Sequence, residues 1–185
     1  MRRTWNRQAV GWNQRIKPYE NDHLSPLLAA CEQLEIDPET ILDLGTGTGA
    51  GAMALGRRFP RARITGVDLA EAMIEMALSN TPVEVSERIH FAVGDAAALP
   101  YVDGSIDLVT QLNVPPLTEE IARVLRPGGA VIIADSIGPK TPSYVPRTAL
   151  RRAFGRSGLE IIATGEAGAG VFLIGRRRVR PREAL

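Results

Sequence analysis

Short apolar runs recur from Thr40 onward, and between them lie longer stretches in which apolar residues fall three or four positions apart. The runs are Ile41 to Leu44, Ile64 to Val67, Ile89 to Val93, Ile106 to Thr110, Ala130 to Ala134, Leu159 to Ala163 and Val171 to Ile174. Several are apolar on consecutive residues, the pattern of a strand covered by helices on both faces. The intervening periodicity predicts helices over Gly51 to Arg58, Ala70 to Ser79, Leu117 to Leu125 and Arg147 to Arg156. Strands alternating with helices in this way make βαβ units, so the expected architecture is a doubly wound α/β fold with a seven-stranded, mostly parallel sheet. Only Thr164 to Gly168 separates the last two runs. That is too short for a parallel crossover, which makes them an antiparallel C-terminal hairpin.

Ahead of the first strand, Ser25 followed by Pro26 reads as an N-cap with proline at the first helical position, opening a helix that runs to about Leu34. Trp5, Ala9, Trp12 and Ile16 fall at helical spacing and predict a further helix with one apolar stripe. Pro127, Gly128 and Gly129 end the third core helix and turn the chain into the fifth strand. These boundaries predict one domain over 1–185, with a helical cover at 1–38, the α/β core at 39–176 and a basic tail at 177–185.

A chain of 185 residues can bury one sizeable core. With a formal net charge of +1, the protein has no general field to attract a nucleic-acid backbone or an anionic membrane. Arg176, Arg177, Arg178, Arg180 and Arg182 read as a solvated terminus. Cys31 is the single cysteine, which excludes an internal disulfide and a multi-cysteine metal site, and its apolar neighbours make it a small buried residue. His90, inside a strand pattern, reads as a packed histidine. Polar residues follow the basic start where a signal peptide needs an apolar stretch, so the cytoplasm is the expected location.

The strongest chemical signal is ILDLGTGTGAG, Ile41 to Gly51, in which a buried strand feeds a glycine-rich turn and then a helix. Glycines let a ligand approach the backbone, and the helix that follows offers free N–H groups. Gly45, Gly47 and Ala50 also satisfy a G-x-G-x-x-A dinucleotide fingerprint, so the turn alone does not name its ligand. Asp68 ends the second strand, where a carboxylate can accept hydrogen bonds from ribose hydroxyls or cap the next helix. Asp95 lies just beyond the third strand on the same edge, where its carboxylate can accept from an adenine amino group. A fourth block, EIARVLRPGGAVIIADS from Glu120 to Ser136, carries a Pro-Gly-Gly corner.

These four blocks, in this order and at this spacing, resemble the class I S-adenosylmethionine-dependent methyltransferases, and most of all the branch that includes quinone-biosynthesis methyltransferases. The N-terminal WNRQAVGWN is similar to that family's F-D-x-x-A-x-x-Y-D, with Asn6 and Asn13 in place of the acids. The resemblance implies a Rossmann-like core. It also implies that Asp43 with Gly45, Thr46, Gly47 and Gly49 surrounds the methionine part of S-adenosylmethionine, and that Asp68 holds the ribose. Leu69 would pack on the adenine, Asp95 and Ala96 would read its edge, Gln111 would line the floor near the sulfonium, and Trp12 would cover the site. One departure is the short TQLNVPPLTEEIAR segment, where the family has a longer wall for the acceptor. Its Asn113-Val-Pro-Pro reads as a turn.

The implied activity is methyl transfer to an O, N or C atom of a small-molecule acceptor, leaving S-adenosylhomocysteine, with no metal. For an acceptor that must lose a proton, Tyr19, His23, Tyr101, Asp135 and Tyr144 are the available bases. The expected pocket is closed by the helix around Trp12, by the Ile137 to Pro146 loop, or by the second subunit of a homodimer. Two alternatives remain open at this point: a methyltransferase-like binding module without catalysis, and an NAD-dependent oxidoreductase.

Overall fold

The computed structural model of the chain describes residues 20–179. Trp12 with its predicted helix, and the last six residues, lie outside them. In chain order the elements are α1 (Glu20–Glu32), β1 (Thr40–Leu44), α2 (Ala50–Arg58), β2 (Arg63–Asp68), α3 (Glu71–Asn80), α4 (Val83–Ser86), β3 (Ile89–Val93), β4 (Ile106–Leu112), α5 (Thr118–Val124), β5 (Leu125–Asp135), α6 (Arg147–Ser157), β6 (Leu159–Ala167) and β7 (Gly170–Arg177). A single helical turn, Gly138–Lys140, interrupts the loop after β5.

The strands form one sheet in the order β3-β2-β1-β4-β5-β7-β6. The first four neighbouring pairs are parallel, and β7 runs antiparallel to both β5 and β6, as the hairpin expectation requires. From β1 the chain first builds toward β3 and then returns to lay β4 on the other side. A crevice therefore opens at the carboxyl ends of β1 and β4, the place where open α/β sheets bind ligands.

Side-chain alternation sorts the core into two layers. Ile41, Ile64, Leu108, Ile132 and Ile174 face α1 and α2, packing on Leu27, Cys31, Ala52 and Leu55. Leu42, Leu44, Val109, Val131, Ile133 and Leu173 face α5 and α6, packing on Ile121, Val124, Leu150 and Phe154. Cys31 is buried, and that burial pushes its thiol up to about 12, which removes it from nucleophilic chemistry.

Several expectations need correction. Pro26 does not open α1, which begins at Glu20 and carries the proline inside it. The missing N–H loses one helical bond. Packing retains the helix: Leu27 and Ala30 are fully buried, and Pro26 lies so close to the Gly170 backbone that a Cβ there would sit 2.7 Å from its ring. His90 is exposed rather than packed, because β3 is the sheet edge and Ala92 and Val93 are exposed with it. The hairpin loop contracts to Gly168 and Ala169, with β6 running on to Ala167. Arg176 and Arg177 belong to β7 rather than to a solvated tail. Arg176 pairs with Glu35 at 3.1 Å, and Arg177 donates to the carbonyls of Arg123 and Leu125. The short α4 had no counterpart in the apolar pattern.

Candidate active site

The turn after β1 folds across to β2, with the N–H groups of Gly45 and Thr46 both donating to the Val67 carbonyl, at 2.8 and 3.1 Å. That crossing needs left-handed backbone, and Gly45 and Gly47 take φ of 70° and 55°. The two glycines differ in surroundings. A Cβ on Gly45 would lie 2.3 Å from Val114, whereas one on Gly47 would meet nothing within 4 Å. Gly47 thus presents backbone to open space at the mouth of the crevice. Gly49, also left-handed, caps α2.

Asp43 sits beneath this turn and is 3% exposed. Its carboxylate accepts hydrogen bonds from the Thr46 hydroxyl at 2.7 Å and the Thr110 hydroxyl at 2.8 Å, tying turn to β4. Burial pushes its pKa up, and the charge of Asp68 adds to this. The two threonine hydroxyls and the Ala52 backbone N–H oppose the shift. In this structure Asp43 shapes the loop from below.

Asp68, half-buried at the end of β2, accepts from the Gly47 N–H through one oxygen and from the Ala70 N–H through the other, both at 2.9 Å. It therefore holds the turn and starts α3 together, and each oxygen keeps a lone pair for a ligand hydroxyl. Next to it Leu69 is 38% exposed, and across the β2–β3 pair Asp68 faces Val93, 50% exposed. Both are exposed apolar residues close to the carboxylate in chain or register. Beyond β3, Asp95 is exposed and folds its own turn by accepting from the Ala97 N–H at 2.9 Å, with Ala96 half-buried next to it. The 99–103 segment that follows is pinned to α5. Arg123 donates to the carbonyls of Leu99 and Tyr101 and to Asp103, while Glu120 accepts from the Leu99 N–H.

At the end of β4, Gln111 is fully buried, its Nε2 donates to the Pro115 carbonyl at 3.4 Å, and its Oε1 has no hydrogen-bond partner. A buried acceptor without a donor is unusual. Asn113 follows in the left-handed region at φ 58°. Its side chain accepts from the Ser136 N–H at 2.8 Å and donates to the Ser136 hydroxyl at 2.9 Å, locking the end of β4 to the end of β5. The structure thus brings Asp43, Gly45, Thr46, Gly47, Gly49, Asp68, Leu69, Asp95, Ala96 and Gln111 to the carboxyl edge of four neighbouring strands. The sequence reading missed Val114, which roofs Gly45, and the Asn113–Ser136 clasp. The single non-glycine left-handed residue among those described, Asn113, opens the Asn113-Val-Pro-Pro turn.

A second region lies on the α5–α6 face, past the clasp. Ile133, Asp135, Val171, Leu173, Thr164 and Glu166 floor a cavity of about 460 Å³ that Tyr144, Val145, Arg147 and Leu150 wall. Asp135 is 6% exposed, and burial raises its carboxyl to about 6, with the nearby Ser143 hydroxyl opposing. His23 and Tyr101 do not line this cavity. No group of three or more metal-ligating side chains occurs among the described residues, and no helix there is long and apolar enough to cross a membrane.

Residues 41–129 match a family model described as a methyltransferase domain. This segment of the chain carries a methyltransferase domain. The chain is 37% identical over 113 residues to the demethylmenaquinone methyltransferase of Lactococcus lactis, covering 57% of this chain and 45% of that protein. It is 32% identical over 148 residues to the malonyl-[acyl-carrier protein] O-methyltransferase of Halorhodospira halophila, covering 76% and 49%. The chain thus spans about half the length of these curated relatives. The fold of the methyltransferase domain superposes on geranyl diphosphate C-methyltransferase from Streptomyces coelicolor, solved with S-adenosyl-L-homocysteine, with a TM-score of 0.66, 15% identity and coverage of 82% and 74%. S-adenosylmethionine is the cofactor of this family, and the residues at the sheet edge fit it. Gly47 faces open space, Asp68 has lone pairs to spare, and the orphaned Gln111 oxygen calls for a donor.

Proposed function

We propose that this chain transfers a methyl group from S-adenosylmethionine to a small-molecule acceptor, as an active enzyme rather than a binding module. The observation that carries the choice of cofactor is the methyltransferase-domain match over residues 41–129, the segment whose glycine turn and Asp68 meet at the crevice. The buried, unpaired Oε1 of Gln111, on the strand beside Leu44, accepts a hydrogen bond from any donor that reaches it, and the ammonium group of S-adenosylmethionine is one. On this reading Asp68 receives the ribose hydroxyls, Leu69 supports the adenine, and Asp95 with Ala96 meets its edge. Thr46 and Asp43 hold Gly45, Gly47 and Gly49 in the shape that admits the methionine part.

When bound, the cofactor supplies an electrophilic methyl on a sulfonium. The chain's own residues position the reactants and exclude water, and effective molarities of ~10⁵ M or more make alignment a large share of the acceleration. Closure over the site by the segment that carries Trp12, or by a second copy of the chain, belongs to the same proposal. Calorimetry on the intact chain with S-adenosylmethionine, S-adenosylhomocysteine and NAD tests it. Binding of both sulfur compounds without NAD is the expected result. A response to NAD alone would return the oxidoreductase reading, and cofactor binding with no turnover on any small-molecule panel would return the binding module.

A further inference from the structure

We propose that Asn113 is a positioning residue for the ligand at the glycine turn: its left-handed backbone and its grip on Ser136 aim Val114 at Gly45 and the Pro115 carbonyl at Gln111. The inference rests on the proposed cofactor reading and adds the device that sets the shape of that crevice.

The parallel ladder of β4 and β5 continues past the end of β4, where the Asn113 N–H donates to the Ala134 carbonyl at 2.9 Å. In a regular parallel ladder the next bond would join the Ser136 N–H to the Asn113 carbonyl. The Ser136 N–H donates instead to the Asn113 side-chain oxygen at 2.8 Å, and the Asn113 amide nitrogen donates to the Ser136 hydroxyl at 2.9 Å. The side chain thus takes the place of its own carbonyl where the backbone turns to φ 58°. Ser136 is 8% exposed, so its N–H has little water to fall back on. Asparagine meets both demands. It enters the left-handed region more readily than most residues, and its carboxamide both accepts and donates. Glycine would supply the turn and leave Ser136 without these partners.

The chain that follows has little freedom of its own. Pro115 and Pro116 have φ fixed near about −65°, and each keeps the residue before it out of the helical region. Asn113 is therefore the joint that aims a stiff strut, Val114 to Pro116, on its way to α5. Two contacts show where the strut is aimed. Val114 packs on the hydrogen face of Gly45, since its side chain supplies the three atoms nearest to the place a Cβ would occupy there. The Pro115 carbonyl accepts from Gln111 Nε2 at 3.4 Å, which leaves Oε1 as the unpaired atom of that carboxamide.

Asn113 acts on a ligand only through Val114, Gly45 and Gln111. Releasing it should free the turn on the β4 side and let the Gln111 amide rotate. The other supports stay in place, because Asp43 holds Thr46 and Asp68 holds Gly47 without its help.

The test uses the intact chain, with S-adenosylhomocysteine as the probe. Asn113→Gly keeps the left-handed joint and removes the clasp, whereas Ser136→Ala removes the hydroxyl bond alone. Calorimetry well below the unfolding temperature should show about 10-fold weaker binding for Asn113→Gly and about 3-fold for Ser136→Ala. In the double variant the Ser136 change should add no further loss, because its partner is already gone. In the ligand-free protein, Asn113→Gly should speed hydrogen exchange at the Gly45 and Thr46 N–H groups and shift the Gln111 side-chain amide resonances. A loss of global stability alone moves neither while the variant stays folded. In the unaltered protein, the Asn113 side-chain amide resonances should shift when S-adenosylhomocysteine binds, a reading that stands even if Asn113→Gly fails to fold. Parental affinity in folded Asn113→Gly, fully additive losses in the double variant, or unmoved Gln111 and Asn113 resonances would overturn the proposal. A parent chain that does not bind the probe would refute the proposed function, while exchange in the ligand-free protein would still decide whether Asn113 shapes the turn. Parental binding that Asn113→Gly leaves unchanged would refute only the positioning role.

Discussion

The two halves of the carboxyl edge are built by different means. On the β1–β2–β3 side the candidate surface is largely backbone: Gly47 faces open space in a turn whose shape is held by N–H groups donating to Val67 and Asp68. On the β5–β7–β6 side it is side chains projecting at every second position from an antiparallel hairpin, with a wall borrowed from α6 and the loop before it. Backbone sites demand particular residues at fixed spacing. Side-chain sites tolerate many sequences and change their ligand by substitution. Under the proposed function, the cofactor chemistry belongs to the first side, and the second side is the freer to vary.

The sharpest way to break that contrast is to alter the backbone side. Gly45→Ala forces a left-handed alanine into contact with Val114 and should cost about 2–4 kcal/mol of stability. Gly47→Ala has the same handedness but open space, and should cost about 1–2 kcal/mol while still blocking the cofactor. Denaturant unfolding beside cofactor calorimetry separates the two. If Gly47→Ala binds like the parent, the open face of the turn is not a ligand surface.

Asp68→Ala should weaken S-adenosylhomocysteine binding by about 1.5–3 kcal/mol. Because the carboxylate also accepts from Gly47 and Ala70, stability should fall by about 1–2 kcal/mol as well. Binding measured well below the melting temperature distinguishes the two losses. Unchanged affinity in a folded variant would remove the ribose role.

On the other side the expected sign is opposite. Folded Asp135 keeps its proton to about pH 6, against 3.8 when unfolded, so stability falls as pH rises between those values and remains lower at neutrality. Asp135→Asn should therefore raise stability at pH 7, by about 1–2 kcal/mol, with little gain at pH 4. A variant less stable than the parent at both pH values would show that the carboxylate is structural. The smallest effect is expected from Arg123→Ala. Freeing the 99–103 segment should speed hydrogen exchange there and loosen the approach to Asp95, with Gly45 to Gly49 unchanged.

This division also explains what the sequence could disclose. Seven strands, four core helices and the C-terminal hairpin follow from apolar period and turn residues, because burial on both faces writes itself into consecutive positions. The glycine turn and Asp68 were legible for the same reason, since only certain residues allow that backbone. Pro26 misled because tertiary packing on Gly170 overrode a local capping signal. Arg176 and Arg177 misled because their partners, Glu35, Arg123 and Leu125, are distant in sequence. The cavity was invisible for that reason too. Asp135 and Glu166 flank Val171 only once β7 has inserted between β5 and β6.

Between the two halves stands the Asn113 clasp. Val114 presses on Gly45 in the cofactor turn, and its neighbour Asn113 grips Ser136, one residue from Asp135. A ligand that shifts either end must work against the other through two adjacent residues. Any coupling through this bridge obeys linkage. If occupancy of the glycine turn tightens the cavity's hold on a ligand by some factor, that ligand must tighten the turn's hold on its own ligand by the same factor. Order of arrival would then alter the route without altering the equilibrium.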